Sequence, residues 1–141
     1  MILWPDQSRV ISVAAQFITL EAALRYYYSA ARPDFDEAFF GYTKDEVSAE
    51  FEFRLNELEA VMSLMLLTAV EAALRIDFST RVLLRGKDRV SRKFRRIQKA
   101  QKQKIRLDED ILEVWKSCHP EFSLLISQLR SAMKYRHWLA H

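Results

Sequence analysis

Glycine, cysteine and long apolar runs are scarce in this chain, and each scarcity removes a class of protein. Of 141 residues only two are glycine, Gly41 and Gly86. So few argue against sheets joined by tight hairpins and leave no glycine-rich loop to cradle phosphates. The single cysteine, Cys118, excludes an internal disulfide and a cysteine-built metal cage. It stands beside His119, but sequence adjacency does not make a catalytic pair, and we read it as structural. The longest near-apolar run, Ala60 to Val70, lies between Glu59 and Glu71 and is too short to cross a bilayer. The first residues, MILWPD, carry neither a basic flank nor a long apolar core, which speaks against a signal peptide. A cytoplasmic, reducing compartment with no membrane partner is the expectation.

Half of the residues are apolar, enough for the core of one domain over 1–141. Their spacing is helical throughout. Val10, Ala14, Phe17, Ile18, Glu21, Leu24 and Tyr28 recur at three- and four-residue steps and predict a first helix from about Gln7 to Ala31, ended by Pro33. The aromatic, acidic stretch from Arg32 to Tyr42 (Phe35, Phe39 and Phe40 among Asp34 and Asp36) reads as a loop with room for one helical turn, its aromatics packing over the bundle; rings exposed to stack on bases are the functional alternative, though such side chains are usually core. Thr43 and Glu46 have the spacing of a capping box. They open a second helix through Leu55, Leu58, Met62, Met65, Ala69, Ala72 and Ile76, with no strong breaker before Gly86 and a kink expected near Asp77–Thr80. Asp108 is expected to cap a short helix through Trp115, and Pro120 to open the last one, striped by Phe122, Leu125, Ile126, Leu129, Ala132 and Met133.

Charge is distributed unevenly. Residues 81–106 hold 12 of the 22 Lys and Arg but one of the 19 acids, Asp88, which leaves 10 bases against 18 acids elsewhere. The formal net charge of +3 conceals that polarity. Asp88 can cap a helix running to about Lys104, with Val90, Phe94, Ile97 and Ile105 as a thin apolar stripe. Arg92, Lys93, Arg95, Arg96, Lys99 and Lys102 occupy the remainder. A mixed charge run is usually a solvated face. A single-signed one repels itself unless a counter-charge is present, which favours a polyanion such as RNA. A second copy or another subunit could supply the acids instead.

The last residues, KYRHWLAH, place Arg136 five positions before His141 at the end of an apolar helical pattern, with the polar His137 directly after the arginine. Histidine exchanges protons near neutrality, and arginine offers a permanent planar charge that fits phosphate oxygens. Together they contain the parts for phosphoryl chemistry without a metal. Residues five apart on a helix differ by about 140° in azimuth and about 7.5 Å in height. Two facing copies can aim both groups at one phosphate more readily than one chain can. Continuing the final stripe by seven from Leu129 reaches Arg136, at the edge of a buried face where a lone charge is costly. Glu71 is the candidate partner. A zinc reading of His137-x3-His141 lacks the glutamate of H-E-x-x-H and an obvious third ligand.

Arg136-x4-His141 resembles the signature of HEPN ribonuclease domains, and Glu71-x3-Arg75 resembles the charged position on an inner helix of that family. The resemblance implies an all-α, HEPN-like bundle of about five helices and a metal-independent endoribonuclease of toxin–antitoxin or defence type. Its products would carry a 2′,3′-cyclic phosphate. Arg136 and His141 would be catalytic, at a homodimer cleft, with His137, Glu71 and Arg75 in support. RNA is the implied partner, an antitoxin or other protein a further one, and no cofactor or metal is expected. The rival readings are a non-catalytic RNA-binding or protein-interaction module using the basic helix 88–106, and a purely structural domain. Glu71–Arg75 also has a bland reading, a surface i,i+4 pair like Glu21–Arg25.

Overall fold

The computed structural model describes residues 5–101 and 104–139, with side chains over 9–101 and 104–136. It is all-α. Among the described residues there are six α-helices and no strand: α1 (Pro5–Tyr27), α2 (Phe35–Ala38), α3 (Lys44–Leu83), α4 (Arg89–Ala100), α5 (Glu113–Cys118) and α6 (Ser123–Leu139). A π-helical turn, Leu107–Leu112, leads into α5, and a 3₁₀ turn, Pro120–Phe122, leads into α6. No described helix is long and apolar enough to cross a membrane. Packing divides the chain into two compact units, residues 8–66 and, in the main, the residues from Leu67 onward.

In the first unit, α1 ends at Tyr27 rather than near Ala31. Pro33 restricts the residue before it, and the Ser29 hydroxyl accepts the Ala31 N–H, offering the backbone a turn in place of another helical bond. Phe39 gathers the aromatic residues of the following segment, with ring centroids 5.0 Å from Phe35 and 5.3 Å from Tyr28. Phe40, by contrast, is exposed. The capping box forms as its spacing predicts: the Glu46 carboxylate accepts the Thr43 N–H at 2.7 Å, and the Thr43 hydroxyl accepts the Glu46 N–H at 3.3 Å. The α1 stripe is only partly covered. Val13, outside the predicted stripe, is its buried member, while Ile18 is exposed.

The second unit holds the larger core, built on Phe78, Val90, Phe94, Ile111 and Val114. The α3 helix passes through Asp77–Thr80 without a break and ends at Leu83. Arg85 then takes the left-handed conformation (φ 51°) that often terminates helices. Asp88 caps α4 as expected, its carboxylate accepting the Ser91 N–H at 3.0 Å. Val90 and Phe94 are almost wholly buried, Phe94 with its ring 4.8 Å from Phe78. Three expectations are corrected. The α4 helix stops at Ala100, because Gln101 turns to extended dihedrals and its side chain donates to Asp110 at 3.0 Å. Asp108 caps none of the described helices; Asp110 is the structural acid, buried and accepting the Arg106 N–H at 2.7 Å. Of the predicted last stripe, Phe122 in the 3₁₀ turn and Leu125 on α6 lie outside the core, and Ile126 is the buried residue among those described.

Candidate functional site

Thr68, Glu71 and Arg75 follow one another on α3 at steps of three and four, so they share one helical face. That face meets Arg136 of α6. Glu71 stands between two guanidinium groups: Oε1 accepts from Arg75 Nε at 3.0 Å, and Oε2 pairs with Arg136 Nη2 at 2.9 Å. Thr68 Oγ1 lies 3.5 Å from Arg136 Nη1, the outer limit of a hydrogen bond. Arg75 also donates to the Ile105 carbonyl at 3.2 Å, which anchors the chain segment leading into the π-helical turn. Glu71 and Arg75 are thus more than the surface pair of the bland reading. Glu71, Arg75 and Arg136 are half-buried, and Thr68 is exposed.

Beside this relay lies a cleft of about 350 Å³, with Arg136, Lys134, Met133 and Arg130 of α6 on one wall, Glu71 on another, and Leu107, Asp108 and Leu112 from the π-helical turn. Arg130, which the sequence reading passed over, ties α6 to the turn across the cleft. It pairs with the Asp108 carboxylate and donates to the Asp108 carbonyl at 3.0 Å and to Glu113 at 2.9 Å. This hydrogen bond holds the Glu113 carboxyl below the usual carboxylate range. The signal for Arg130 was its spacing, four after Ile126 on the buried edge of α6. His137 lies on α6, but its side chain falls outside the described residues, as does the whole of His141. Among the described residues no cluster of three His, Cys, Asp or Glu is placed to hold a metal ion.

The basic residues of α4 separate into two groups. Lys93 donates to the Ser117 hydroxyl on α5 at 2.9 Å, and Arg95 to the Gly86 carbonyl at 2.8 Å; both are half-buried and tie the helix to its surroundings. Arg92, Arg96 and Lys99 are exposed and, among the described residues, meet no carboxylate. Lys102 lies outside the described residues. The row therefore has unsatisfied charge at three positions and structural bonds at two.

No family model, curated protein or solved structure matches this chain. Two features bear on function: a half-buried arginine fixed by a carboxylate at a cleft, and three exposed cations on α4, Arg92, Arg96 and Lys99, that meet no carboxylate among the described residues.

Proposed function

We propose that this chain is a metal-independent endoribonuclease of the HEPN type, a cytoplasmic toxin or defence enzyme acting as a homodimer. The observation that carries the reading is the 2.9 Å pair between Arg136 and Glu71. A carboxylate aims the guanidinium from one side, and its five N–H donors suffice to hold a phosphate oxygen as well. In this mechanism His141 takes the proton of the ribose 2′-hydroxyl. The 2′-oxygen attacks phosphorus, and the bond to the 5′-oxygen breaks as the partner's histidine protonates the leaving group. The products are a 2′,3′-cyclic phosphate and a 5′-hydroxyl, with Arg136 balancing the charge that builds on the phosphoryl oxygens. Arg92, Arg96 and Lys99 bind the RNA backbone, and His137 is a secondary polar contact.

RNA cleavage in EDTA, comparing the parent with His141→Ala, tests this directly. Loss of a general acid–base lowers the rate by about 10²–10⁴; equal rates at equal melting temperature would remove His141 from the mechanism. Light scattering should give a dimer. A second reading, a non-catalytic RNA-binding module, is favoured by Arg92, Arg96 and Lys99 on α4, which are exposed and meet no carboxylate among the described residues. It predicts RNA affinity without cleavage by parent or variant.

A further inference from the structure

The end of α5 and the 3₁₀ turn after it carry a stack of rings that runs from the core outward and takes no part in the Arg136 cleft. Trp115 and His119 are four apart, so the end of α5 places one ring over the other, with centroids 5.4 Å apart and planes at 33°. His119 leaves the helix, and the 3₁₀ turn from Pro120 folds the chain back, with the Phe122 N–H donating to the His119 carbonyl at 3.0 Å. That turn lays the Phe122 ring on the imidazole, again at 33° and 5.6 Å between centroids. The Glu121 carboxylate meets His119 Nδ1 at 3.0 Å and fixes the imidazole plane. The inner end of the stack is anchored, because the Arg81 guanidinium lies 5.0 Å from the Trp115 ring centroid and Trp115 packs on the core. The outer end is open: Phe122 is 43% exposed.

The cationic arc of α4 leads to this place. On a helical wheel Lys93 borders the buried stripe, and Arg89, Arg96, Arg92 and Lys99 follow within about 120° on its other side. Lys93, at the edge of that arc, reaches Ser117, two residues before His119. We propose that Phe122, backed by His119 and Trp115, is a stacking platform for one unpaired base of a single-stranded RNA whose phosphates lie along α4, a site that rests on the RNA reading of that helix. Every base has a π-face, so such a platform adds affinity without strong sequence preference. A protein partner covering Phe122 and the exposed Leu124 and Leu125 would have to bury Glu121, 60% exposed, and its charge. A base on the ring face leaves that carboxylate in water at the rim.

Fluorescence anisotropy with a short 2′-O-methyl oligouridylate, which cannot cleave through its 2′-oxygen, and with its abasic counterpart separates stacking from charge. The parent should bind the oligouridylate more tightly. Phe122→Leu should lower that affinity about 5- to 150-fold and leave abasic binding and the salt slope as in the parent. Phe122→Trp should restore it. Unchanged oligouridylate affinity in Phe122→Leu, with binding still lost when Arg92, Arg96 and Lys99 become glutamine, overturns the platform and keeps the RNA reading. A parent that binds neither ligand overturns both. Equal loss for the two ligands, or a change in sedimentation size, assigns Phe122 to folding or to self-association and overturns the platform.

Discussion

Replacing Glu71 by glutamine keeps the shape of the side chain and removes its charge. The carboxylate holds Arg75 at 3.0 Å and Arg136 at 2.9 Å, and glutamine can satisfy one of the two only as a neutral acceptor. Hydrogen bonds to charged groups contribute about 1.5–3 kcal/mol when sheltered, and exposed ion pairs about 0–1 kcal/mol. Side-chain exposure decides between these limits: 22% for Glu71, 30% for Arg136 and 40% for Arg75. The Arg136 bond lies nearer the sheltered limit and the Arg75 bond nearer the exposed one. Two guanidinium groups also converge on the site once the carboxylate is gone. A loss of about 2 kcal/mol follows from these terms.

The assay is a double-mutant cycle in urea, followed by far-UV circular dichroism, with Glu71→Gln, Arg136→Gln and the double variant. The expected coupling is about 1–2 kcal/mol, and the matching cycle through Arg75 should give less. Additivity within about 0.5 kcal/mol would mean that the pair carries no energy and that Glu71 does not place Arg136. On the ribonuclease proposal Glu71→Gln also lowers the cleavage rate through a loosened guanidinium, while RNA affinity, carried by α4, stays near that of the parent.

Changing Arg92, Arg96 and Lys99 to glutamine should reduce the slope of log affinity against log salt by up to about 2, measured by RNA titration at several salt concentrations. Lys93→Gln and Arg95→Gln should instead lower melting temperature, because those residues bond Ser117 and Gly86. The Asp88 carboxyl sits below its ordinary value of 3.8, first through the Ser91 hydroxyl and then the Ser91 N–H. A depressed acid adds stability above its unfolded pKa and loses it as pH falls through its folded one. The stability gap between parent and Asp88→Asn, measured in urea, should therefore be full above about pH 4 and shrink below it. Arg85→Gly should raise stability by up to about 1 kcal/mol by relieving the left-handed backbone. Gly86→Ala should lower it, because a Cβ there would stand 2.7 Å from Ser91 Oγ and 2.8 Å from Asp88 Oδ2.

Local signals read true from the sequence where two residues satisfy each other at short range. The Thr43–Glu46 box and the Asp88 cap with its Val90–Phe94 stripe are of this kind. One long-range contact was also legible. A charge at the edge of a buried stripe requires a partner, and that requirement led from Arg136 to Glu71. Periodicity failed where tertiary context chose among equivalent residues. Asp108 and Asp110 look alike in a D-E-D run, yet only Asp110 meets both Gln101 and the Arg106 N–H. Nor does a helical wheel tell Arg92 from Arg95, since what binds Arg95 is a carbonyl in the preceding turn.

The six cations between Arg89 and Lys99 also constrain how α4 is held. They form seven like-charge pairs at i,i+3 or i,i+4, each opposing the helix by about 0.2–0.5 kcal/mol, or roughly 1.4–3.5 kcal/mol in all. Against this stand the burial of Val90 and Phe94, about 1.5–3 kcal/mol apiece, and the Asp88 cap at about 1 kcal/mol. A polyanion along the cationic face would remove the repulsion and bind the folded helix in preference to the unfolded one, so that affinity and stability rise together. Weakening the helix from inside, at Asp88 or Phe94, should then weaken binding of the same polyanion although neither residue touches it. A cationic face that served only solubility would show no such coupling.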